Sequence, residues 1–265
     1  WWNRQTSRTA QAHWFWMIGV LLMTTLLGAQ GLNADIIWSD ELTSIGHAGG
    51  LTGPFSITQI IQSISEYSPK HAPLFFGILS GWGNIVGWHH VVLRSLSLFF
   101  GLLTIAWIYR IGKDFVNIRA GVWAAAFLGL NVFWIEYYHE IRMYSLQLAI
   151  IMMMLWHYLY LSDLQRHSRW YHWGGLIFSA VASLYTQPMS IFVHVAIGIY
   201  HLLFVAKKRR WFTITFAFML AGILYLPWFP VTTYLGLNTE LVTATTAMTL
   251  EQAVTVFIRL FSNGN

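Results

Sequence analysis

The sequence predicts an all-α fold: a polytopic transmembrane bundle of about seven crossings, with juxtamembrane helices in a large first outer loop. Three observations predict it. The first is the balance of the chain, 56% hydrophobic and only 9% charged, with a mean hydropathy of +0.53. Soluble domains carry roughly 25% charged residues, so this chain cannot cover a water-facing surface and its solvent is largely lipid. The second is run length. In lipid every backbone polar group must be bonded internally, which leaves helices or a closed barrel. The apolar runs are about 16–20 residues long and do not alternate in ten-residue segments, which selects helices. The third is the placement of charge, which fixes the number of crossings. Fifteen tryptophans also fit a chain with many membrane–water interfaces.

The expected spans are 14–32, 91–111, 120–135, 143–161, 171–187, 188–206 and 211–230. The stretch 72–88 is short and carries Gly77, Gly81, Gly83 and Gly87. Basic clusters stand at Arg4/Arg8, Arg110/Lys113/Arg119, Arg166/Arg169 and Lys207–Arg210. The positive-inside rule wants all four in the cytoplasm. That holds if 72–88 does not cross but lies as a juxtamembrane or re-entrant helix at the outer face. Asp35, Asp40, Glu41, Glu66, Glu136, Glu140, Glu240 and Glu251 then fall outside; Lys70, Arg94, Arg142 and Arg259 are the remaining cations. The outer segments are 33–90, the turn 136–142, and 231–265. Within the first, Ile57, Ile60, Ile61 and Ile64 share a helical face, as in a helix lying on the bilayer or one packed on the loop. The absence of repeats and linkers makes 1–265 one membrane module, expected to be a fragment or the ordered part of a longer chain. Residues 14–32 read as a retained anchor, since no small-residue cleavage site follows them.

Several chemistries are excluded. No cysteine means no disulfide, thiolate metal site or cysteine nucleophile. A localised net charge of +5 does not suggest nucleic acid. The P-loop, the dinucleotide glycine fingerprint and His-Glu-x-x-His are missing, so an activated donor would come from the membrane.

Ionisable groups at membrane depth are costly and usually functional. Asp40-Glu41 supply a general base with an orienting partner, or hold a divalent cation, or are solvated loop acids. Lys70 and His71, bracketed by Pro69 and Pro73, suit a phosphate at the bilayer surface or simply begin a helix. Residues 136–145 form the densest polar cluster. Glu136, Glu140 and Tyr144 are expected close to one helical face, and Arg142 can grip a phosphate through its planar fork or pair with a Glu across a hairpin. Glu136 and His139 resemble a weak metal-ligand spacing. Arg94 is a snorkelling anchor or a further phosphate contact, and Thr186 and Gln187 could bond a sugar, though a satisfied turn is the plainer reading.

In this order the residues resemble a known family. An acidic pair follows the first span. His71-Ala72-Pro73-Leu74 opens the next apolar segment, with Ala72 where the family often has proline. Arg94 precedes a long helix ending Tyr-Arg-Ile-Gly-Lys, and Glu140-x-Arg142-x-Tyr144-Ser145 follows. Tyr185-Thr186-Gln187 and Leu226-Pro227-Trp228 add to the likeness. The chain resembles the C-type glycosyltransferases that use polyprenyl-phosphate sugars, the protein O-mannosyltransferase and lipid A aminoarabinose transferase group.

The resemblance implies sugar transfer, with inversion, from a polyprenyl-phosphate donor to a protein, lipid or glycan acceptor. It implies an extracytoplasmic cavity of a multi-pass protein in the plasma (inner) membrane. Asp40 would be the base and Glu41 its partner. Arg142, with Lys70, His71 and Arg94, would hold the donor phosphate; Glu136, His139, Glu140, Tyr144 and Gln187 would line the substrate. The metal requirement stays open. Two other classes fit the same residues: a transporter of a lipid-linked substrate, and a non-catalytic subunit of a membrane complex. Polar groups gathered at one face, without inverted repeats, favour the enzyme over the transporter.

Overall fold

The computed structural model describes residues 2–33 and 36–235, with 2–12, 234 and 235 described by their backbone alone. Asp35, Glu240, Glu251, Arg259 and the side chains of Arg4 and Arg8 lie outside the described residues. The elements are α1 (Trp2–Gln30), α2 (Ser39–His47), α3 (Ile57–Tyr67), α4 (Pro73–Val86), α5 (His90–Phe115), α6 (Ile118–Gly129), α7 (Val132–Glu136), α8 (Tyr144–Ser162), α9 (Trp170–Thr186), a 3₁₀ turn (Pro188–Ser190), α10 (Ile191–Phe204), α11 (Arg209–Tyr225) and a π turn (Val231–Leu235). No strand occurs among the described residues. Among the described residues three stretches are long and apolar enough to cross a membrane: His13–Gln30, His90–Phe115 and Tyr144–Ser162.

Local chemistry sets several boundaries. Ser56 and Gln59 form a capping box at the start of α3. Pro73 stands in the first turn of α4, where a missing N–H costs nothing. Asn117 and Asn131 cap α6 and α7 by accepting from the Ala120 and Trp134 amides. The Asn131 cap corrects one expectation: 120–135 is not a single helix but α6 and α7 separated by a turn. A second correction follows. Helix is interrupted between Glu136 and Tyr144, so Glu136, Glu140 and Tyr144 do not share a helical face. In α3, Ile60 and Ile64 are buried while Ile57 and Ile61 are exposed, so its apolar face is divided between the protein and the outside.

Helix direction can be followed from the contacts at each end. His13 of α1 packs on Tyr109 near the end of α5, whereas the Gly28 carbonyl of α1 accepts from His139 Nε2 at 2.9 Å, near the start of α8. Gly112 of α5 meets Gly121 of α6 so closely that a Cβ on either would lie 2.6 Å from the other helix's backbone. Past the turn, Tyr138 wedges between α1 and α5, where a Cβ on Gly101 would come within 2.0 Å of its ring. His157 of α8 packs on Gly175 of α9, Tyr185 of α9 donates to the Leu224 carbonyl of α11 at 3.0 Å, and His201 of α10 stacks on Trp211 of α11.

α1, α5, α6 with α7, α8, α9, α10 and α11 therefore run alternately between two ends. α4 does not. It starts beside His71 and closes back on the start of α5, where Trp82 Nε1 donates to the Val92 carbonyl at 2.9 Å. With α2 and α3 it forms a cap over one end, sealed by Phe75, Phe76, Leu79, Ile60, Ile64, Leu93 and Ile141.

Candidate functional site

Asp40 and Glu41 lie in the first turn of α2, which points both carboxylates at the starts of α5 and α8. Their fates differ. Glu41 is fully buried against Arg94: Nε donates to Oε1 at 3.0 Å and Nη2 to Oε2 at 2.8 Å. Arg94 Nη1 also donates to the Leu32 carbonyl at 3.0 Å, tying in the end of α1. Glu41 Oε1 accepts the Ile141 amide at 2.9 Å as well. This is a bidentate ion pair with its remaining valences filled, the condition for a buried pair to be tolerated. Glu41 and Arg94, expected beside substrate and donor phosphate, are here turned to each other, and neither side chain has an open surface.

Asp40 stays 45% exposed on its side chain, beside an Arg142 that is only 6% exposed. Arg142 Nη2 lies 3.4 Å from Asp40 Oδ2, and Nη1 donates to the Asp40 carbonyl at 3.2 Å and to Ser44 Oγ at 3.3 Å. Its guanidinium stands 5.7 Å from the centre of the Tyr144 ring. Arg142 Nε is buried without a protein partner. The peptide group between Glu140 and Ile141, just before Arg142, is held at both its polar atoms: Glu41 accepts its N–H and Ser97 Oγ donates to its carbonyl at 2.6 Å.

His71 faces the same group from the loop before α4. Burial, then Arg142, His47 and Lys70, push its imidazole down to about 4 against the pull of Asp40. Its Nδ1 has no protein partner, and its carbonyl accepts from Trp228 at 3.1 Å. Lys70 is exposed beside it. Glu140 is half-buried with Oε2 unpartnered. Burial, then the Glu41 carboxylate, with Glu136 and Asp40 adding, raise its carboxyl above the ordinary range, opposed by Arg142.

The remaining predicted residues lie at the same end in lesser roles. His139, expected to line the substrate, bonds the Gly28 carbonyl and packs against Gly31. Glu136 is exposed at the end of α7. Gln187 closes α9, half-buried, and the Thr186 hydroxyl donates to the Ala182 carbonyl one turn back in the same helix. Among the described residues no three His, Asp or Glu side chains gather as a metal would need.

Sequence reading missed two residues. His47, at the end of α2, is buried, with Nδ1 2.8 Å from Ser63 Oγ and Nε2 2.9 Å from Ser68 Oγ, and it packs edge-on against Phe76. Burial, then Arg142, lowers its pKa. It clamps the loop bearing Lys70 and His71 to the helix bearing Asp40. Ser44 is the other, one turn after Asp40. A serine and a histidine in an unremarkable nine-residue helix carry no motif, and only the spacing of Ser44 from Asp40 hinted at a shared face.

Comparison with known proteins decides the family. The sequence profile of the dolichyl-phosphate-mannose-protein mannosyltransferases matches residues 70–234. The chain belongs to that mannosyltransferase family. No curated protein and no solved structure matches it. Membership makes this a membrane glycosyltransferase-type chain of a family built around polyprenyl-phosphate-linked sugars. The family match begins at Lys70 and so leaves out α2. The acidic pair is joined to the matched region by contacts instead: Glu41 to Arg94 and Ile141, and Asp40 to Arg142.

Proposed function

We propose that this chain transfers a sugar from a polyprenyl-phosphate donor to a hydroxyl of a protein, lipid or glycan acceptor, at the capped end of the bundle. The observation that carries this reading is the Asp40–Arg142 contact. It sets a half-exposed carboxylate 3.4 Å from a buried guanidinium that has an unpartnered Nε, in a family built around lipid-phosphate sugars.

The chemistry follows from that pairing. The donor phosphate competes with Asp40 for Arg142, whose planar fork suits a phosphate better than a single oblique carboxylate contact. Asp40, released, accepts the proton of the acceptor hydroxyl as that oxygen attacks C1 of the sugar. The C1–O bond to phosphate breaks, its electron pair stays on the phosphate oxygen, and the anomeric centre inverts. Arg142, with exposed Lys70 nearby, stabilises the charge growing on the leaving phosphate in a site of low dielectric. His71, largely neutral at pH 7, adds a hydrogen-bonding nitrogen rather than a charge. Glu41 and Arg94 are positioning residues: they fix the Ile141–Arg142 segment and never meet substrate.

The same reading places the seven alternating helices across the membrane and α4 along the outer face. Every candidate group is then extracytoplasmic, and the basic clusters are inside. The test is transfer from a panel of polyprenyl-phosphate sugars to hydroxyl acceptors, with the anomeric configuration of the product determined. Inverted product from the wild type and loss of transfer in Asp40→Asn are expected. Retained configuration, or undiminished transfer by Asp40→Asn, would overturn the mechanism.

A further inference from the structure

Gln147 is the one polar side chain in the stretch of α8 from Leu146 to Leu155. It is only 8% exposed, and neither Oε1 nor Nε2 has a protein partner. A buried amide left unsatisfied is costly, more so where lipid rather than water surrounds the bundle. Polar groups kept at that depth mark substrate paths more often than packing. Its neighbours in the sequence are leucines, which would fill the same space at no such cost.

Position gives the amide a direction. α8 begins at Tyr144, two residues after Arg142, and Gln147 stands one turn further on, on the face shared by Tyr144. Side chains on an α-helix lean toward its N-terminus. The long Gln147 side chain therefore leans toward Tyr144, whose ring faces the Arg142 guanidinium. Its two donors and two acceptor lone pairs match the vicinal hydroxyls of a sugar.

We infer that Gln147 binds hydroxyl groups of the donor sugar and contributes to sugar selection, while Arg142 holds the phosphate. This rests on the proposed donor chemistry and adds to it a residue that reads the sugar. A site built to hydrogen-bond a hydroxyl discriminates strongly against a ligand lacking it, because its own polar groups are then left unpaired.

The experiment measures binding of two probes, a polyprenyl-phosphate mannose and the same polyprenyl phosphate without sugar, to wild type, Gln147→Leu and Gln147→Asn in detergent. In the wild type the sugar-bearing lipid is expected to bind about tenfold tighter than the bare phosphate. Gln147→Leu should remove that preference, leave the affinity for bare polyprenyl phosphate unchanged, and melt no lower than the wild type, since an unsatisfied amide has been replaced by an apolar group of similar volume. Gln147→Asn should recover part of the preference. An intact preference in Gln147→Leu, or an equal loss for both probes, overturns the inference while leaving the donor reading standing. Failure of the wild type to bind either probe overturns both.

Discussion

The two ends of the bundle hold the same kinds of side chain and treat them in opposite ways. At the capped end, Glu41, Arg94 and Arg142 are buried, Glu41 and Asp40 each meet an arginine from a distant segment, and several polar atoms keep open valences. At the other end, Arg110, Lys113 and Arg166 surround Asp114 and Asp163 within reach of water. There Arg110 is 52% exposed and lies over the Trp156 ring at 4.3 Å, Arg166 lies over Phe115 at 4.6 Å, and Arg210 donates to the Asp163 carbonyl at 3.0 Å. Between Arg94 and Asp114, both on α5, the helix rises about 30 Å, close to the thickness of a bilayer's hydrocarbon layer. Charges at the second end anchor; charges at the first are held in place, at a cost, for a task.

The largest difference between the ends should appear in stability. Glu41→Ala removes the buried carboxylate that takes two bonds from Arg94 and one from the Ile141 amide, and breaking such a buried pair costs about 3–5 kcal/mol. Thermal unfolding in detergent should show a sharply lowered midpoint or no folded protein. The matching change at the other end, Arg166→Ala, removes a partly exposed pair with Asp163, a bond to the Asp114 carbonyl and the contact over Phe115, and should cost less, about 1–2 kcal/mol. Comparable losses from the two variants would erase the distinction.

A smaller effect concerns pH. With His71 held near 4 in the folded protein against an ordinary 6.5, the unfolded chain binds more protons between these values. Stability is therefore complete above about 6.5 and falls as pH drops toward about 4. His71→Gln should flatten the fall in unfolding midpoint across that window. Glu140, shifted upward, works the other way, its contribution fading as pH rises. An unchanged profile in His71→Gln would mean that the imidazole is solvated.

How much of this was legible in the sequence depended on range. Most helix positions follow from apolar runs, and charge counting sets the short stretch at α4 apart from the expected spans. Asp114 and Asp163, which are not among the acids expected outside, pair with residues of the basic clusters. The break at Asn131 was readable as a cap after Gly129, but the apolar run on both sides of it masked it. The partnership of Glu41 with Arg94 was out of reach: the residues are 53 positions apart, and no local pattern says which of two adjacent acids turns inward. For the same reason the pair's own chemistry does not tell Asp40 from Glu41, and only the family resemblance singles out Asp40 as the base.

In the proposed function one end of the bundle carries out the reaction and the other anchors. The direct measurement is the initial rate of sugar transfer from a polyprenyl-phosphate donor, in one assay, for wild type, Arg142→Gln and Arg166→Gln, each verified as folded. Loss of the group that stabilises the leaving phosphate should lower the rate by about 10²–10³ in Arg142→Gln, while Arg166→Gln stays within about twofold of wild type. Equal losses in the two variants, or an undiminished rate in Arg142→Gln, would contradict it.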